Sequence, residues 1–388
     1  MSEENLPIDA PTTERQPVYR ALIMTASLMI VLYGLHWGAA VFVPIVVAFF
    51  LAVLSYPVMR FLTSKRVPHF LAMLLTVALN IAILAGLVNV ASTLIVSFQG
   101  HIPRYVHELQ KMMADGALWL EGKGVKGASD AVEKLDWSAI FQYAGTQNMM
   151  KMLNSTWDLL SSMVKEITLI LILLLFILGE ARGVTSRVLA VQQAGGPDLT
   201  KLLASASDIQ KYLGIKTVIS AIGGVLCGIW CWGLGLDYAL LWGILAFLLH
   251  FIPAFGAILA GILPTLLALV QFGPGSAIAV AVGYLIINFA LGSLIEPTMM
   301  GRRFGVSPLV ILLSVLFWGM LWDAVGMFLA VPLTIMLKVV LENTDEFRWL
   351  GVAMSKKKVV KGGEIILETD ALGDAEMIGG GAATEPPH

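Results

Sequence analysis

Tyr284 to Lys338 reads YLIINFALGSLIEPTMMGRRFGVSPLVILLSVLFWGMLWDAVGMFLAVPLTIMLK. Two apolar blocks flank a short polar hinge, and the first block carries Asn288 and ends at the pair Glu296-Pro297. A carboxylate at the centre of a membrane-crossing helix costs roughly 2.5–3.5 kcal/mol on insertion scales, so it persists where it is paired, near an interface or facing a cavity. Glu296 is therefore the residue that the rest of the chain must accommodate. Two readings apply. Either Glu296 lines a transport route with Asn288, which lies about two turns earlier on roughly the same face, or it pairs with Arg302 or Arg303 beyond Gly301 and holds the hinge together.

Hydrophobic residues make up 57% of the 388 positions and charged residues only 13%, against the quarter or so that soluble domains carry. With a mean hydropathy of +0.82, this composition identifies an all-α integral membrane protein. The net charge of −2 leaves no broad basic surface, so nucleic acid is not an expected partner. The two cysteines, Cys227 and Cys231, lie one turn apart in an apolar helix and read as buried thiols. Residues 1–17 carry Glu3, Glu4, Asp9 and Glu14 ahead of the first apolar run, a pattern expected of a disordered cytoplasmic tail and not of a cleaved signal.

Residues 18–98 hold three expected spans, Ala21–Tyr33, Ala39–Met59 and Phe70–Phe98, and the basic loop Arg60, Lys65, Arg66 between the last two sets the amino terminus inside. Residues 99–162 lose hydropathy and mix charges of both signs. They are expected to form an outer, soluble insertion of short helices broken at Gly122-Lys123-Gly124. The second membrane part, residues 163–342, opens with the span Met163–Leu178. An amphipathic surface helix is expected over 198–213, with Lys201, Asp208 and Lys211 off its apolar stripe, and Lys216 is expected to snorkel at the start of the next span.

That span, Thr217–Leu236, carries Gly224 and Gly228, small residues that let helix backbones approach within the chain. Residues 240–270 are too long for one span and too short for two, and they are interrupted at His250, Pro253 and Gly256. They read as a broken re-entrant hairpin whose freed backbone groups need a cavity or protein partners, with a single tilted helix kinked at proline as the alternative. Alone at membrane depth, His250 reads first as a packing residue and second as a proton carrier. Spans at Ser276–Glu296, Ser307–Leu321 and Val325–Leu341 follow, with a solvated turn at Trp322-Asp323. The total is about eight spans plus the hairpin, a small helical outer domain, and both termini inside. Residues 343–388 form a cytoplasmic tail, mostly disordered.

The sequence lacks the spacings that bind phosphate, dinucleotide or catalytic zinc, so neither an enzyme nor a cofactor is expected and any transport runs on gradients. The candidate route is Glu296, Asn288, His250, Pro253 and Gly256. The candidate hinge is Pro297, Gly301, Arg302 and Arg303.

Six stretches taken together resemble the autoinducer-2 exporter (AI-2E) family: V-P-I-V-V-A-F-F-L-A at Val43–Ala52, Lys216-Thr217, L-x-F-I-P-x-x-G at Leu249–Gly256, Ile287-Asn288, E-P-x-x-M-G-R at Glu296–Arg302, and F-W-G-x-L-W…G-M-x-L-A-V-P-L-T at Phe317–Thr334. The resemblance implies an inner-membrane exporter of the quorum-sensing signal autoinducer-2 or a related small molecule, assembled as a homo-oligomer, possibly a pentamer, among membrane lipids. Some relatives are described as sodium/proton antiporters, which keeps that activity open. A non-transporting scaffold or regulator that binds a partner through the outer insertion is the reading from another class.

Overall fold

The computed structural model describes residues 16–124, 126–133, 165–195, 200–300, 306–344, 347–355, 358–361 and 364–367. Helices α1 (Gln16–Trp37) and α2 (Ala39–Ser64) form the first hairpin. His36 Nδ1 lies 2.9 Å from the Leu321 carbonyl, and the Trp322 indole donates to Leu35 O at 3.0 Å, so the turn between α1 and α2 is fastened to a distant part of the chain. α3 (His69–Gly122) then runs for 54 residues without a break, which is about 80 Å. The third span and the first helix of the expected insertion are thus one rod. Pro103 is tolerated inside it, and the break falls at Gly122-Lys123, within the expected Gly122-Lys123-Gly124. α4 (Ala128–Glu133) follows. The remainder of the expected insertion, 134–162, lies outside the described residues.

α5 (Lys165–Glu180) bends by 63° into α6 (Val184–Gln193). α7 (Thr200–Gly233) is a single 34-residue helix, which corrects the separate surface helix expected over 198–213. Ile209, Tyr212 and Leu213 are buried in the core, so the apolar stripe of that segment packs inward and the helix continues into the span. α8 (Ala239–Leu249) and α9 (Phe255–Phe272) are separated by a break at 250–254. α10 (Pro274–Phe289) passes through a π-helical turn, Ala290–Ile295, into α11 (Glu296–Met300). α12 (Pro308–Phe328), α13 (Ala330–Glu342) and α14 (Arg348–Ala353) complete the helices. Two short strands, β1 (Lys358–Lys361) and β2 (Glu364–Leu367), pair antiparallel in the expected tail. Among the described residues the membrane part is therefore helical, with one small hairpin of sheet beyond it.

Among the described residues, six helices are long and apolar enough to cross a membrane, or seven if α5 and α6 make one bent span. Six of the eight expected spans map onto these when α5 and α6 are taken together; the seventh helix, α9, comes from the expected hairpin and is itself long and apolar enough to cross, while α8 is short. The other two expected spans fall short. The apolar part of α1, Leu22–Trp37, is a shorter helix, and the 13 residues of α13 rise only about 20 Å, less than a hydrocarbon core. At Trp322 and Asp323 the backbone leaves the helical region, with φ of +50 at Asp323, and the chain doubles back. The Trp318 carbonyl lies against Gly326, and the Trp318 indole donates to Thr334 Oγ1 at 3.1 Å. Asp323 itself is exposed, as a turn predicts, but Trp322 is buried, which corrects the solvated reading of that half of the pair.

Three apolar clusters hold the bundle. One joins α2, α7, α12 and α13; a second joins α3, α7, α8, α9 and α10; a third joins α2, α3 and α5. α7 contributes to the first two and is the axis of the structure. Residues such as Ile30, Leu285 and Val225 are left largely exposed on the outside of the helices, as lipid contact requires.

Candidate functional site

α7 presents Lys216, Ser220, Gly223, Cys227 and Cys231 at spacings of three and four residues, which is one continuous stripe of a helix. α10 and α11 run antiparallel along that stripe. At its first station the Lys216 ammonium donates to both oxygens of Glu296, at 2.8 Å to Oε1 and 3.0 Å to Oε2. The side chains are 5% and 22% exposed. Withdrawing an ion from water costs several kcal/mol, so a buried pair is retained for what it does more readily than for the stability it adds. Tyr212, one turn before Lys216 and buried, also feels the Glu296 charge.

This arrangement corrects one expectation and adds a partner to Glu296. Lys216 does not snorkel to an interface; its side chain turns into the bundle and meets the carboxylate. The partner of Glu296 among the described residues is thus Lys216, from a helix distant in sequence. The expected partners Arg302 and Arg303, together with Gly301, lie outside the described residues. Pro297 occupies the second position of α11, where its missing N–H costs nothing. The π-helical turn immediately ahead of Glu296 is a form that occurs mostly as single turns, frequently at functional sites.

His250 is buried, with its Nδ1 3.1 Å from the Ala246 carbonyl. That geometry assigns the proton to Nδ1 and leaves Nε2 as an acceptor. The Cε1–Nε2 edge of the ring comes close to α7 because position 223 is glycine. A methyl group there would stand 3.0 Å from His250 Cε1, 3.1 Å from Nε2 and 3.0 Å from Leu291 Cδ1. Pro253 sits in the break itself. Gly256 begins α9 one residue later than Phe255, and a Cβ there would fall 1.7 Å from the Leu249 carbonyl, so the two helices can meet at this angle only through a glycine. Ala254 supplies the reversal with φ of +63.

Asn288 and Glu296 do not share a partner. Asn288 Nδ2 donates to Ala257 O of α9 at 3.4 Å, and the π-helical turn lies between the two residues. The Asn288 side-chain oxygen is buried with no partner, and so is the hydroxyl of Ser220, a residue 0% exposed. Ser220 was not among the sequence candidates. The signal that finds it is the stripe that starts at Lys216, which is visible in the sequence only once Lys216 is known to point inward.

Farther along α7, Cys231 Sγ lies 3.7 Å from Tyr284 OH, and both cysteines are free and buried. At the opposite end of the bundle, Tyr105 of α3 donates to Asp237 Oδ2 at 3.0 Å, and Gln271 of α9 donates to the same oxygen. The Asp237 amide returns a bond to Gln271 Oε1 at 3.3 Å. Burial, and then the bond to Asp237, push the Tyr105 hydroxyl above its ordinary range. A groove of about 500 Å³ opens on another face of α7, along its crossing with α8, but every lining residue, from Ala221 to Phe247, is apolar. It offers nothing that could orient a polar solute. Among the described residues no three His, Cys, Asp or Glu side chains converge to hold a metal.

A polytopic helical bundle with a charged pair and a broken helix in its interior is the architecture of a membrane transport protein. The chain belongs to the AI-2E transporter family, whose model matches residues 25–346. It is 30% identical over 344 residues to the AI-2 transport protein TqsA of Escherichia coli K12, covering 87% of this chain and 95% of that protein. It is also 33% identical over 334 residues to a putative transport protein of Haemophilus influenzae, covering 84% and 93%. Over 323 residues it is 27% identical to the putative transport protein YhhT of Escherichia coli K12, covering 83% and 90%. The family is one of transporters and not of enzymes.

Proposed function

We propose that this protein is a secondary transporter of the bacterial inner membrane that exports a small molecule, with autoinducer-2 or a related compound as cargo. The observation that carries the reading is the buried Lys216–Glu296 pair beside a helix break. Such a pair is bistable. Intact, it clamps α7 to α11; when a proton or a polar solute competes for either partner, the clamp opens. The choice of cargo rests on the likeness to TqsA, a protein named for AI-2 transport. Glu296 and Lys216 line the route, His250, Pro253 and Gly256 shape its bend, and Asn288 offers it a free oxygen. In this reading both termini are cytoplasmic, α3 carries the outer insertion, the break between α8 and α9 is re-entrant, and the protein works as a homo-oligomer among lipids, as a pentamer.

A second reading, sodium/proton antiport, is favoured by the same pair, because Glu296 is a titratable carboxylate held against a fixed cation. The test for both is purified protein in sealed liposomes, with autoinducer-2 efflux followed in one arm and sodium-driven change of internal pH in the other. Furanone flux that falls in Glu296→Gln and Lys216→Gln supports the exporter. A sodium-dependent pH change without furanone flux makes the protein an antiporter. Silence in both arms from folded protein leaves the scaffold reading in place.

A further inference from the structure

Ser220 poses a problem that the ion pair does not explain. Its hydroxyl is fully buried and bonds to nothing, although buried polar groups in folded proteins are nearly always satisfied. On its stripe of α7 it stands between two polar stations. One turn before it is Lys216, locked to Glu296 at 2.8 Å. Nearly one turn after it is Gly223, whose bare Cα receives the Nε2 edge of His250. The rise from residue 216 to residue 223 is about 10 Å, the span of one hydroxyl and one water in a hydrogen-bonded line. An internal water needs two to four polar partners, and a charged pair, a hydroxyl and a ring nitrogen with a free lone pair follow one another along this stripe. The charges acting on His250 are those of Lys216 from α7 and Glu296 from α11, and Tyr212 on α7 also lies within the influence of Glu296.

We propose that Ser220 holds a buried water between the Lys216–Glu296 pair and His250, and that this line passes a proton between Glu296 and His250 Nε2. The inference rests on the transport reading and adds the proton route to it. A proton that reaches Glu296 makes it neutral and releases Lys216. The carboxylic O–H then gives its proton to the water, the water gives one to the Ser220 oxygen, and the Ser220 O–H gives its own to His250 Nε2. The result is a carboxylate that pairs again with Lys216 and an imidazolium protonated on both nitrogens. No other bond changes, and reversal resets the line. Ser220 is a positioning residue here, and Gly223 is the aperture through which the ring reaches it.

Two measurements test this separately from cargo transport. The first is a water-to-nitrogen contact at His250 Nε2, read by nuclear magnetic resonance on 15N-histidine protein in lipid. The contact is expected in wild type, absent in Ser220→Ala and retained in Ser220→Thr. The second is proton movement into dye-loaded liposomes driven by an autoinducer-2 gradient, measured across pH. Ser220→Ala is expected to slow it by about a hundredfold, the low end of what a lost proton relay costs, and to flatten the pH profile, with Ser220→Thr restoring both. A His250 Nε2 that is dry in wild type overturns the proposal, and so does a Ser220→Ala protein with wild-type proton movement and pH profile. Wild-type liposomes that carry no cargo while the water contact is present would instead count against the transport reading and leave the water site standing.

Discussion

Lys216 and Glu296 attract each other in a place where each alone is expensive. Removing one partner leaves an uncompensated charge, which costs about 3 kcal/mol or more when the site is buried. Lys216→Met is therefore expected to lower the thermal stability of purified protein clearly, whereas the double variant Lys216→Met/Glu296→Leu recovers stability, since packed apolar residues replace a buried pair at little cost. Neither variant should restore transport in liposomes. A double variant that transports normally would show that the pair is a structural clamp only. Gly256 makes an equally sharp case. A side chain there meets the Leu249 carbonyl at 1.7 Å, so Gly256→Ala must push α8 and α9 apart, and it is expected to reduce folded yield in size-exclusion profiles. A Gly256→Ala protein of wild-type stability would refute the tight break.

At the level of elements, the crossing of α7 and α8 is built on glycine. A Cβ on Gly224 would stand 2.7 Å from the Gly243 carbonyl, and one on Gly243 would stand 2.8 Å from the Gly224 carbonyl. Backbones this close gain dispersion and weak contacts that no larger residue permits. Gly224→Leu is expected to destabilise the bundle by about 1–3 kcal/mol through overpacking. Gly214 lies on the same helix with nothing within 4 Å, so Gly214→Ala is expected to be neutral or to stabilise by up to about 1 kcal/mol through helix propensity. Thermal unfolding of the two proteins side by side checks the contrast. Equal losses would mean that glycine serves flexibility in α7, not close approach.

Across the whole molecule, α7 and the turn after it connect two polar nodes. One is the Lys216–Glu296 pair; the other is the Tyr105–Asp237–Gln271 cluster that ties α3 to α9. Tyr105 is held protonated by burial and by its bond to Asp237. Its folded-state pKa is raised, so its contribution is complete below its ordinary value of 10.0 and is lost as pH climbs beyond it. Protection of the α3 amides around Tyr105, taken against the unstructured exchange rate at the same pH, is thus expected to be flat through neutral pH and to fall only in strong alkali. Tyr105→Phe should remove that alkaline limb and speed exchange there at every pH, at a cost of about 1 kcal/mol for the lost bond. An unchanged alkaline limb in Tyr105→Phe would assign it to another group.

The membrane class, the helical character of the spans, the breaks near Gly122, His250–Gly256 and Trp322-Asp323, and the singular position of Glu296 are all legible in the sequence. Each of these follows from local rules: an apolar run must be helical in lipid, glycine and proline interrupt it, and a carboxylate within it needs a reason. That Lys216 meets Glu296 follows from the tertiary structure alone. The two residues are 80 positions apart, and their contact depends on how α7 is rotated against α11. The same rotation merged the expected surface helix into α7 and placed Ser220 between two polar stations. A helix presents its residues all around its axis, and the face that turns inward is set by packing against helices far away in the chain.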